Sequence, residues 1–324
     1  IDTGGQPRES LRTVYGRIDQ DIDRAIELLE KARETTLAEN NKSHINLYVA
    51  LGIKSRACLA EGDWDGAFKA AKRVIDEGGY AVGTKSDLTG GMNSLDKQNV
   101  MWGAGIQVAD QAGGYAGFFT HMDNKEGAYA KSAPKLISKQ LYNRISATDI
   151  RRDWWDPSDK ESPYVSKKFS FANVASFLGD YIYMRVEEMY FTAAEAALRL
   201  DDLKSARELM NTVMAERDPG YSANNRSGTL LGATTTTWTG SFLENILTHR
   251  RIELWGEYGR LFDVRRLGQG IDRRTDDGFS EECISMMNRR NVNITKADTY
   301  DWVLTIPKAE LDANPNINEE DQNP

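Results

Sequence analysis

Residues 246–268 read ILTHRRIELWGEYGRLFDVRRLG. Leu247, Leu254, Tyr258 and Leu261 recur at helical spacing and predict one apolar stripe. Around that stripe stand Arg250, Arg251, Glu253, Glu257, Arg260, Asp263 and Arg265, with Arg266 beside them. Planar guanidinium forks and carboxylates at this density predict a structural clamp, in which bidentate pairs pin one helix against its neighbours. Gly259 is expected to break the helix.

The flanking sequence carries an internal repeat. Residues 57–77, ACLAEGDWDGAFKAAKRVIDE, align without gaps on residues 196–216, AALRLDDLKSARELMNTVMAE. Ala57 falls on Ala196, Leu59 on Leu198, Asp63 on Asp202, Ala67 on Ala206 and Val74 on Val213. Each unit is read as helix, short aspartate turn and second helix, the pattern of a tetratricopeptide-like hairpin. The first hairpin is expected at 43–59 with 63–76, the second at 181–200 with 203–216. A helix over 11–32 would pack on the first through Ile18, Ile22, Ala25, Ile26 and Leu29.

Between the hairpins, over 79–179, helical periodicity fails. A short strand is expected within 100–108 and a helix over 134–144, among glycine-rich runs. Long irregular insertions on a regular scaffold are more often functional than idle, which makes this region and the loop 219–240 the places to seek a site.

The four-segment order of motifs resembles the SusD/RagB family. The arginine-rich stretch is similar to that family's ERRxEL, EGxR and (F/W)DLxRxG series, with His249 where glutamate is usual and Tyr258 inserted between Glu257 and Gly259. Met184 to Ala196 resembles its LRLAEVYLxxAEA helix, and Pro7-Arg8 through Leu29 the helix that begins its middle region. Ile306-Pro307, Glu310-Leu311, Asn314-Pro315 and Gln322-Asn323-Pro324 match its IPxxEL, NP and QNP ending. The resemblance implies a mainly α-helical, SusD-like superhelix in a single domain, divided into 1–78, 79–179 and 180–324 and lacking its N-terminal part. It further implies a non-catalytic, surface-exposed outer-membrane lipoprotein. Such a protein binds an oligosaccharide and delivers it to a TonB-dependent, SusC-like transporter, its lipid anchor lying outside these residues. A peptide-binding member of the family, or a helical-repeat adaptor for another protein, are the alternatives.

Composition bounds the rest. With 40% hydrophobic and 28% charged residues over 324 positions, the chain can bury a large core without disulfide or metal staples. A net charge of −8 with interleaved signs argues against a nucleic-acid or anionic-lipid surface. Cys58 lies in an apolar helical pattern and reads as a core residue, with no bridge to Cys283 expected. No phosphate loop, HExxH or nucleophile-elbow motif occurs, Gly103-Ala104-Gly105 is not a dinucleotide fingerprint, and no cofactor is implied. Asp153, Asp156 and Asp159 lack the glycine and terminal glutamate of an EF-hand loop, so no metal site is expected. His44 and His249 read as structural.

A glycan binder needs aromatic faces for sugar C–H groups and polar side chains for the hydroxyls. The loop 110–124 has both: Tyr115, Phe118, Phe119 and His121 as rings, Asp110, Gln111 and Asn124 as hydrogen-bonding partners. Glycines 113, 114 and 117 flank Tyr115, which makes it the favoured platform, with Trp238 in a threonine-rich loop as a second. Trp154 and Trp155 are weaker candidates; on an extended strand one would be buried and the other exposed. Trp102 reads as core.

Overall fold

The computed structural model describes residues 5–33, 41–110, 117–224, 240–269 and 303–323. Helices α1 (Leu11–Arg33), α2 (Leu47–Glu61) and α3 (Trp64–Glu77) come first. After the insertion follow α8 (Val186–Arg199), α9 (Leu203–Ala215), α10 (Phe242–Glu253) and α11 (Arg260–Arg266), with α12 (Lys308–Ala313) near the end. The first hairpin stacks on the second through α3 and α8, and α1 and α10 pack on α2 and α8 respectively. Leu51, Val74, Met189, Phe191, Val213 and Phe242 fill the shared core.

The repeat seen in the sequence is a repeat in space. Asp63 and Asp202 cap α3 and α9, each side chain accepting a backbone N–H three residues on, at 3.0 Å. The preceding residues, Gly62 and Asp201, both take the left-handed conformation at φ +83° and +63° that turns the chain between helices. Leu59 and Leu198, Ala67 and Ala206, and Val74 and Val213 are buried as pairs. Cys58 is buried as a core residue, as read, and burial pushes its thiol up to about 12; Cys283 lies outside the described residues.

Several boundaries differ from the sequence reading. Tyr181–Arg185 is not the first turn of a helix but strand β4, antiparallel to β1 (Val100–Ala104), and α8 starts only at Val186. Aromatic and β-branched side chains there gain more from cross-strand pairing than from a helical turn. Gly103 is required in that ribbon, because a Cβ would fall 2.2 Å from the Tyr181 carbonyl oxygen. The expected helix over 134–144 shrinks to α7 (Lys139–Tyr142), capped by Ser138. On α1, Ile26 and Leu29 pack inward, whereas Ile18 stays 37% exposed.

The arginine-rich stretch is also not one helix to Gly259. α10 stops at Glu253, and Gly256 and Gly259, at φ +74° and +110°, turn the chain into α11. The stripe therefore splits: Leu247 and Leu254 are buried, while Tyr258 and Leu261 are exposed.

Several of its charges meet partners drawn from four other segments. Glu253, fully buried, accepts from Arg151, Arg185 and Arg217 at 3.0–3.1 Å. Glu257 accepts from Arg185 and Lys168, and Arg217 reaches Glu187 at 2.8 Å. Burial pushes the Glu253 carboxyl up, and the three guanidinium charges overcome it and hold it well below the usual carboxylate range. A second network ties Arg250 and Arg266 to Asp263 and joins Arg266 in a fork to Glu195 at 2.7 Å. Arg265, by contrast, is exposed, and Arg251 and Arg260 are half-buried, whereas the side chains of Arg250 and Arg266 are 3% and 5% exposed.

The insertion has a core of its own. The short helices α4 (Lys85–Thr89), α5 (Phe118–Met122), α6 (Ala128–Ser132) and α7 lie in it, with strands β2 (Trp155–Asp156) and β3 (Val165–Ser166). They surround Leu88, Phe119, Leu141, Trp154, Trp155 and Phe169, and Ile252 of α10 closes that cluster from the scaffold.

Candidate functional site

One aspartate organises the surface of the insertion. Asp123, 2% exposed, ends α5; its Oδ1 accepts the N–H groups of Lys125 and Glu126, and its Oδ2 that of Phe171, at 2.9–3.0 Å. Gly127 follows where a Cβ would strike the Thr120 and Asp123 carbonyls, so the chain doubles back tightly into α6. That turn lays the rings of His121 and Tyr129 face to face, with centroids 4.6 Å apart and planes 2° from parallel. His121 is exposed and Tyr129 half-buried.

Beside the hairpin opens a cleft of about 700 Å³. Phe169 and Phe171, 3% and 8% exposed, form its apolar floor; the Asp123 to Glu126 turn makes one wall, and Asp156, Asp159 and Lys167 belong to the other. The Ser158 hydroxyl and backbone N–H hold the Asp156 carboxyl below its ordinary value, and Asp159 accepts the N–H groups of Glu161 and Ser162. These carboxylates shape loops and leave lone pairs at the rim. An apolar floor under a rim of donors and acceptors suits a polyhydroxyl ligand.

The predicted residues distribute unevenly around this surface. His121 is at the surface, in the stack. Phe118 is half-buried among Phe119, Phe169 and Tyr181, and its backbone N–H reaches the Tyr181 hydroxyl at 3.2 Å. Phe119, at 1% exposure, belongs to the core beneath and is not a platform. Trp154 and Trp155 are both buried, at 2% and 1%, which corrects the expectation that one faces solvent. Trp154 ends a 3₁₀ turn before the strand starts, so the two do not alternate as strand neighbours. Its indole N–H donates to the Leu88 carbonyl at 2.9 Å, and the buried Lys168 ammonium sits over its ring at 4.4 Å. Asn124 lines the cleft but spends its amide on backbone, accepting from Lys135 N–H and donating to the Ser166 carbonyl at 2.8 Å. Asp110 is exposed and accepts the Gln107 N–H at 2.8 Å. Gln111, Tyr115 and Trp238 lie outside the described residues.

The SusD family model matches residues 120–324, more than half of the chain and including this cleft. The chain belongs to the SusD family. Among solved structures, a SusD-like carbohydrate-binding protein from Bacteroides vulgatus shares 26% identity at a TM-score of 0.77. The alignment covers 99% of this chain and 68% of that one. A SusD superfamily protein from Bacteroides thetaiotaomicron, 21% identical, superposes at 0.74 over 100% of this chain and 68% of its own. Surface glycan-binding protein A from Bacteroides uniformis, 17% identical, does so at 0.66 over 98% and 70%. The last two speak for the fold alone. No curated protein matches.

Within this SusD-family chain, the residues that sequence reasoning missed were hidden by distance. Tyr129 meets His121 only because Asp123 reverses the chain, and Phe169 and Phe171 approach from 46 and 48 residues beyond Asp123. The exposure of Tyr258 was missed as well: the Arg56 guanidinium lies 3.8 Å over one face, and Phe262, itself 51% exposed, stacks at 5.3 Å. The glycines at 256 and 259 were the available signal.

Proposed function

We propose that this chain binds a glycan at the cell surface without cleaving it and hands it to a partner TonB-dependent, SusC-like outer-membrane transporter. The observation that carries this reading is the parallel, stacked His121 and Tyr129 pair on the hairpin that walls a polar-rimmed cleft of about 700 Å³. Family membership, and a 26% identical relative described as carbohydrate-binding, point the same way. Tyr115 and Trp238 remain proposed platforms, with Asp110 and Gln111 beside the first, because glycines flank the one and small polar residues the other. The carboxylates described at the cleft accept backbone N–H groups, which supports a role in shape and hydrogen bonding and not in proton transfer.

Native affinity electrophoresis against a panel of plant and microbial polysaccharides tests the proposal. Retardation by at least one glycan is expected, and chromatography after prolonged incubation should recover that glycan at its original length. Retardation by none, or release of shorter sugars, overturns it.

A further inference from the structure

We propose that the glycan is uncharged and runs out of this cleft into a second one, crossing a saddle made by Asp156 and Lys167; the inference rests on the glycan-binding reading above. The second cleft, of about 410 Å³, includes Asp156 and Lys167 in its lining, as the first does. The two hollows are thus neighbours sharing a wall, and each alone is within the roughly 300 to 1,000 Å³ range of small-ligand pockets. A single sugar fills neither the pair nor the saddle, whereas a chain of linked rings fits both.

The second cleft also holds polar groups with nothing to bind. Trp155 forms part of its wall, and the Trp155 indole N–H is buried with no hydrogen-bond partner among the described residues. A buried donor left unmade is costly, and a ligand oxygen seated at this wall would remove that cost once the ring edge turns toward it. Among the described residues the Lys85 ammonium and Asp153 carboxylate, both exposed at this cleft, have no hydrogen-bond or ion-pair partner. A donor, an isolated N–H and an acceptor around one hollow match the hydroxyl group, which gives and takes a hydrogen bond at once.

Charge then decides between neutral and acidic sugars. Asp123, Glu126, Asp156, Asp159 and Glu161 line the first cleft against three lysines. Three acidic and three basic side chains line the second, and the whole chain carries −8. A polyuronate would meet a surface that is negative on one side and balanced on the other, without the cationic excess that a polyanion requires.

Affinity electrophoresis in gels of glucomannan, xyloglucan, arabinoxylan and starch, set against polygalacturonate and alginate, is the first arm. Retardation is expected in a neutral gel and in neither acidic one. Calorimetry with the dimer and hexamer of the retained sugar is the second, and the hexamer should bind at least about tenfold tighter. Asp153→Ala, an exposed position with little bearing on folding, and Trp155→Phe, which keeps an aromatic ring, should each weaken the hexamer by roughly three- to tenfold. Preference for an acidic gel overturns neutrality. Equal dimer and hexamer affinities, or an Asp153→Ala hexamer affinity equal to the parent's, overturn the two-cleft path while glycan binding stands. Retardation in no gel takes down the glycan reading and this inference with it.

Discussion

Arg217 donates through Nε and Nη2 to the two carboxylate oxygens of Glu253, at 3.0 and 3.1 Å, with both side chains fully buried. The same carboxylate serves Arg151 and Arg185, so one residue on α10 joins the 3₁₀ turn of the insertion, the β4–α8 junction and the end of α9. Glu253→Gln should therefore cost about 3–5 kcal/mol, because it strands enclosed guanidinium charges. Urea unfolding measures this; a midpoint within error of the parent's would show that the network contributes nothing to stability.

Arg250 and Arg251 are adjacent in the motif but unequal in the fold. Arg250 is 3% exposed and bonded to Asp263 and Thr192 at 2.9 and 3.1 Å. Arg250→Ala should lose about 3–5 kcal/mol, and Arg251→Ala, at a half-buried position, less than about 1 kcal/mol. Thermal melts of the two variants side by side decide the order, and the reverse order would refute it.

Acid should unfold the protein through these carboxylates. For Glu195, Glu257 and Asp263, burial raises the pKa and the neighbouring cations more than reverse it, leaving each below its ordinary value of 4.5 or 3.8. A carboxyl with a lower pKa folded than unfolded stabilises the fold above the unfolded pKa, and that stabilisation is lost as pH falls through the folded one. Unfolding free energy should thus show no loss from these groups between neutral pH and about 4.5, and fall steeply below it. Glu257→Gln should flatten the acid limb; an unchanged limb counts against this assignment.

At the hairpin, His121→Ala and Tyr129→Ala should each weaken binding of a retained glycan by about 1–3 kcal/mol, the scale of truncating an aromatic contact. Calorimetry supplies the number, and circular dichroism melts should move little for the exposed His121. Parental affinity in both variants would shift attention to Tyr115 and Trp238.

Trp154→Ala belongs to the opposite class. Removing a ring that is 2% exposed and bonded to Leu88 should cost about 3–5 kcal/mol of stability. Glycan affinity of the folded fraction should stay near the parent's, and a loss of affinity without loss of stability would return Trp154 to the site.

The helical scaffold was legible along the chain. Asp63 and Asp202, Ala67 and Ala206, and Val74 and Val213 announced two helical hairpins, because caps and apolar spacing are local properties read along the chain. The density of arginines and carboxylates in 246–268 likewise announced an ionic clamp. What pairs with what was decided only in three dimensions: Arg151, Arg185 and Arg217 converge on Glu253 from 36 to 102 residues away. The same holds for the candidate site. Whether an aromatic ring is core or platform depends on what folds over it, so Trp154 and Trp155 went inside and Tyr258 outside against their local patterns. Composition can say that rings and hydroxyl partners are present, but only the turn at Asp123 brings His121 to Tyr129. Local periodicity encodes secondary structure; exposure and long-range charge pairing are properties of the packed chain.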